Sequence, residues 1–162
     1  MTTSLSQELA HRAPTGARRR GTGLLVTAGV LSAINGAAHF ALPVIYPWAE
    51  HVEGLYEPVR WALYATTVFF GVLLVFGGVV TVAVALWHET PCRVVALAAG
   101  GMAGFWLVGA VYEVLVPFPD PVAAWILPLF SLIVALLYLG GLWLHRSSRT
   151  RFPSNVDPEG LP

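Results

Sequence analysis

The chain has 162 residues, of which 56% are hydrophobic and 11% charged, and its basic and acidic residues balance to a formal net charge of zero. Soluble domains carry roughly a quarter charged residues, and disordered chains need low hydrophobicity, so both classes are excluded, as is a nucleic-acid partner drawn by a basic surface. A mean hydropathy of +0.69 fits a chain whose solvent is lipid.

The composition removes chemistry as well. Cys92 is the only cysteine, which excludes disulfide frameworks, paired-thiol redox centres and thiolate zinc sites. Every basic residue is arginine, so Schiff-base and phosphate-loop lysines are absent.

Residues 1–21 hold Arg12, Arg18, Arg19 and Arg20 and read as a disordered cytoplasmic tail. A first membrane span is expected over 22–45, since no Asp, Glu or Arg lies between Arg20 and Glu50. Gly36-Ala37-Ala38 imitates a signal-peptide cleavage site, but the apolar run is too long for one. Pro43 and Pro47 should end or kink this span. The second span is expected over 59–87, the third over 92–116, where Glu113 is the one interruption between Arg93 and Asp120, and the fourth over 121–145. Each is long enough to cross about 30 Å of hydrocarbon as a helix. Glu57-Pro58, Thr90-Pro91 and Asp120-Pro121 place a polar cap before a proline at three of the helix starts. Pro128 should kink the fourth helix and free a carbonyl near Ala124. Residues 147–162 read as a second disordered tail.

The expected fold is therefore all-α: a polytopic four-transmembrane-helix bundle occupying 22–146. Arg12, Arg18, Arg19, Arg20, Arg93, Arg146, Arg149 and Arg151 fall on one side of it, and only Arg60 on the other. The positive-inside rule then puts both termini in the cytoplasm, with the protein in a plasma (inner) membrane. Trp48, Tyr56, Trp61, Tyr64, Tyr112 and Trp125 mark the outer boundary as an aromatic belt, and Trp87 and Trp143 the inner one.

Helices in lipid associate where small residues permit close approach. Gly29, Ala33 and Ala37 form one such ridge, and Ala96, Gly100 and Gly104 another; Gly71, Gly77, Gly78, Gly140 and Gly141 add contact points. The ridges serve packing within the bundle, a homodimer, or a larger membrane complex.

Away from the cytoplasmic ends and connectors, two acid–base side chains, His39 and Glu113, fall within the apolar stretches. At 1.5 Å per residue each lies about 29 Å from the cytoplasmic arginines, so both reach one depth near the outer boundary. Ser32, Asn35, Gly36 and His39 share a stripe of the first span; Met102, Trp106, Gly109 and Glu113 share a stripe of the third, opposite its small-residue ridge. Thr66, Thr67 and Ser131 add hydroxyls in the same half. These stripes point to an outward-facing polar pocket, with His39 and Glu113 as an acid–base pair and Ser32, Asn35, Arg60, Trp106 and Tyr112 as substrate-binding groups, on a lipophilic small molecule.

Each of these residues also has a plainer role. A histidine or glutamate near an interface can reach headgroup water, Glu113 can pair with Arg60, and Ser32 and Asn35 can join helices. Zinc on His39, His51 and Glu113 has no spacing motif behind it, and haem between His88 and His145 is disfavoured because both read as interfacial, so no cofactor is expected. Two other functions stay open: a non-catalytic accessory or scaffold subunit, and a small proton-coupled transporter acting as a dimer.

Overall fold

In the computed structural model the backbone is described for residues 3–87 and 89–147, and side chains from residue 16 onward. The elements are α1 (Thr3–Ile45), α2 (Trp48–Val52), α3 (Glu57–Leu86), α4 (Cys92–Leu115) and α5 (Ala123–Ser147). Among the described residues there is no strand, as lipid requires of a chain that cannot close a barrel. Four helices are long and apolar enough to cross a membrane: Gly16–Ile45, Glu57–Leu86, Cys92–Leu115 and Ala123–Ser147.

The expected span limits agree within a few residues, except at the N-terminal end. There α1 is helical from Thr3, through most of the stretch expected to be an unstructured tail. Residues 148–162, with Arg149 and Arg151, lie outside the described residues. Pro43 sits two residues before the end of α1, and Pro47 precedes the short α2, so the two prolines do terminate the first span.

Of the three expected polar caps, one forms. The Asp120 carboxylate accepts from the Val122 and Ala123 amides at 3.0 and 2.8 Å, holding the start of α5. The caps expected at Glu57 and Thr90 make no such bond: Glu57 is already the first residue of α3, and α4 starts after Pro91. There the proline alone, with its fixed φ and missing N–H, suffices to start a helix.

The helices run up and down, and each neighbours the next around a ring closed by α5 against α1. The closest approach is between α1 and α3. A methyl group added at Gly29 would lie 2.7 Å from the Gly78 carbonyl oxygen; one at Gly36 would lie 2.7 Å from the Gly71 oxygen and the Val75 nitrogen. Two backbones touch there, and only glycine fits. The spacing 29 to 36 and 71 to 78 is seven residues, two helical turns, which keeps both pairs on one seam. The first ridge is thus Gly29, Ala33 and Gly36; Ala37 is exposed, contrary to the four-residue repeat. A second close approach joins α1 and α5, where a methyl at Gly21 would meet the His145 nitrogen at 2.9 Å.

The ridge expected on α4 does not pack against another helix of the bundle. Nothing lies within 4 Å of a methyl placed at Gly100 or Gly104. Instead α4 buries Val95, Ala99, Met102, Ala103 and Trp106, the opposite face.

The outside of the bundle is apolar. Phe69, Phe76, Leu97, Val108 and Leu129 are each more than half exposed, a surface that water would not tolerate and hydrocarbon does. Tyr56, Trp61, Tyr112 and Trp125 are exposed at one end, Trp87 and Trp143 at the other, as an aromatic belt requires.

Candidate functional site

At mid-depth a buried polar clasp draws one residue from each spanning helix. The indole Nε1–H of Trp106 (α4) donates to Ser32 Oγ (α1) at 2.9 Å, and the Ser32 hydroxyl donates to the Ala28 carbonyl at 2.9 Å. With its own proton so engaged, Ser32 accepts from the Tyr138 hydroxyl (α5) at 3.0 Å. The Tyr138 hydroxyl also lies beside Thr81 (α3), whose own hydroxyl donates to the Gly77 carbonyl at 2.8 Å. Ser32, Tyr138 and Thr81 are wholly buried, and Trp106 nearly so. The Trp106 N–H and each of the three hydroxyl protons thus has an acceptor, which polar groups inside a membrane protein demand.

Above this clasp, toward the end that carries α2 and the 116–122 connector, the four helices separate around a cavity. It has two adjoining lobes of about 410 and 730 Å³. The smaller lies against α3, with Thr66, Thr67 and Phe70; the larger extends to Trp48, His51 and Val52 of α2. Asn35, His39, Trp106, Glu113 and Ser131 line both. The walls are otherwise mainly aliphatic and aromatic, the usual make-up of a small-molecule site.

Hydrogen bonds fix the two titratable side chains. His39 Nδ1 lies 2.9 Å from the Asn35 carbonyl oxygen, an acceptor, so that nitrogen carries a proton and a neutral ring leaves the Nε2 lone pair unspent. Glu113 Oε2 accepts from the Ser131 hydroxyl at 2.8 Å. No hydrogen bond or ion pair joins His39 to Glu113 directly; they share a cavity, not a contact.

Five expected residues thus meet in one space: Asn35, His39, Trp106, Tyr112 and Glu113. Two do not. Ser32 lies beneath the floor with its hydroxyl fully used in the clasp, and Arg60 lines neither lobe. Gly36, placed by periodicity on the polar stripe, belongs to the packing seam instead. Thr81 and Tyr138 escaped the sequence reading, although a tyrosine in the middle of an apolar span, whose hydroxyl needs a partner, was the available signal. Pro128, which has no N–H to give the Ala124 carbonyl, stays within an unbroken α5, and both residues line the smaller lobe.

Among the described residues no group of three or more His, Cys, Asp or Glu side chains is placed to hold a metal ion. Of the histidines weighed for haem, His145 is buried near the end of α5, and His88 lies outside the described residues.

Fold and site together define a class: a multi-pass helical membrane protein with an apolar-walled cavity between its four spans. No model of a known protein family matches the chain, and neither the curated proteins nor the solved structures contain a detectable relative.

Proposed function

We propose that this protein binds a lipophilic small molecule in the cavity between its spans, and acts on it by acid–base chemistry through His39 and Glu113. The observation that supports this reading is that residues from separate helices, distant in sequence, bring an imidazole and a carboxyl group to one mainly apolar space. Glu113 and His39 can then give and take a proton across a molecule seated between them, with Trp106 as the floor. The arginine distribution supports both termini on the cytoplasmic side, and with that orientation the cavity faces outward.

Two measurements test the proposal. Extracted in mild detergent, the native chain carries a lipophilic compound detectable by mass spectrometry, and Leu42→Trp, which plugs both lobes, loses it. Equal small-molecule content in the two proteins rejects the site. For orientation, in a Cys92→Ala background, Ser147→Cys is labelled by an impermeant maleimide only after cells are opened, and Glu53→Cys is labelled on intact cells. The reverse pattern rejects the outward-facing assignment.

A further inference from the structure

Asn35, Thr66, Tyr46, Tyr112 and Trp48 line the cavity with groups able to donate, but the polar groups around its carboxyl side face the space as acceptors. Glu113 is an acceptor, and Ser131 has already directed its proton to it. The Thr67 hydroxyl donates to the Leu63 carbonyl at 3.0 Å, leaving only its lone pairs. His39 donates through Nδ1 to Asn35, and His51 in the larger lobe has Nδ1 3.2 Å from the Pro47 carbonyl; each neutral ring therefore offers Nε2 as an acceptor. No arginine lines either lobe, and the chain has no lysine. The cavity offers these acceptors, holds one carboxyl group with no arginine or lysine beside it, and is walled by aromatic rings.

A carboxylate in such a place is costly unless a cation comes to it. From this we infer that the cavity takes a lipophilic amine in its protonated form, the ammonium hydrogen-bonded to Glu113 and the hydrocarbon body packed against Phe70, Phe105 and Trp106. An ammonium supplies three donors and no acceptor, the complement of the acceptors at Glu113, Thr67, His39 and His51. The rings add a second attraction, since their faces are negative. Phe105 and Trp106 meet edge to face at 6.1 Å, and Phe70 stands 5.8 Å from Phe105, so the aromatic wall is continuous from α3 to α4. An anionic ligand would face Glu113 with no compensating cation, and a neutral alcohol would satisfy one acceptor only.

The inference rests on the cavity being a ligand site, and the experiment separates the two. The full-length chain in lipid nanodiscs is titrated calorimetrically with naphthylmethylamine, naphthylmethanol and naphthoate, after subtracting heats from empty nanodiscs. A charge-assisted bond favours the amine over the alcohol by about tenfold or more, and naphthoate gives no saturable binding. Glu113→Gln brings the amine down to the level of the alcohol and leaves the alcohol unchanged; Glu57→Gln, outside the cavity, changes neither. If amine and alcohol bind equally and both are lost in Leu42→Trp, the cavity is a ligand site and the amine assignment is overturned. If none of the three binds, or Leu42→Trp binds all as before, both readings fall. The ligand series on the native chain decides the matter by itself should Glu113→Gln not fold.

Discussion

The two halves of the bundle are built on opposite principles. In the half below Gly36 and Gly71, glycines bring backbones into contact, and the clasp of Ser32, Thr81, Trp106 and Tyr138 ties all four helices. Beyond that pair the glycines of α1 and α3 run out. The next turns carry His39, Leu42, Thr66, Thr67 and Phe70, which hold the helices apart, and the cavity begins there. A membrane bundle has little hydrophobic force pulling its helices together, so the spacing between them is set by the side chains at the seam. Where the seam loses its small residues, space opens.

That contrast can be broken most severely from the packed side. Gly36→Leu drives a side chain into the Gly71 backbone, which cannot yield, and should cost more than about 3 kcal/mol, enough to abolish a monodisperse folded species in size-exclusion chromatography. Gly100→Leu on the open face of α4 makes no clash and should leave the elution profile unchanged; a loss equal to that of Gly36→Leu would refute the assignment of the seam. Next in size is Ser32→Ala, which leaves the Trp106 N–H and the Tyr138 hydroxyl without their shared acceptor and should destabilise by about 2 kcal/mol in a reversible detergent unfolding titration. Tyr138→Phe, which removes one bond and strands no donor, should cost about 0.6 kcal/mol. Asp120→Ala removes the side-chain cap of α5 for about 1 kcal/mol, and hydrogen exchange should rise only in its first turn. The smallest effect belongs to the cavity: Glu113→Gln keeps an acceptor for Ser131 and should shift stability by less than about 0.5 kcal/mol, although it weakens amine binding to the level of the alcohol. A large destabilisation there would make Glu113 a structural group of the packed half.

Much of this was legible in the sequence. Charge-free stretches gave the four helices, and equal distances of His39 and Glu113 from the arginines gave their common depth. Angular periodicity placed Met102, Trp106, Gly109 and Glu113 on one side of α4, which is the side turned inward. The errors share a cause. Composition tells which residues permit close approach, but not which face meets a neighbour; so Ala96, Gly100 and Gly104 look like a seam, yet no helix of the bundle meets Gly100 or Gly104. Likewise Ser32 was placed in the pocket because it is polar and correctly phased, whereas its use by Trp106 and Tyr138, 74 and 106 residues away, depends on how the ring of helices closes. Arg60 was grouped by depth alone, and depth does not fix azimuth.

The clasp also dictates how this molecule can breathe. With four rods each lending one side chain to a single knot, no rod can turn about its own axis or slide by a residue without breaking the knot. The motion left to them is a spreading of the far tips about that pivot, like the jaws of a peg. A guest would thus widen one end while the other keeps its width, and the indole of Trp106, resting on the pivot and facing the guest, stands where the strain of opening is felt first.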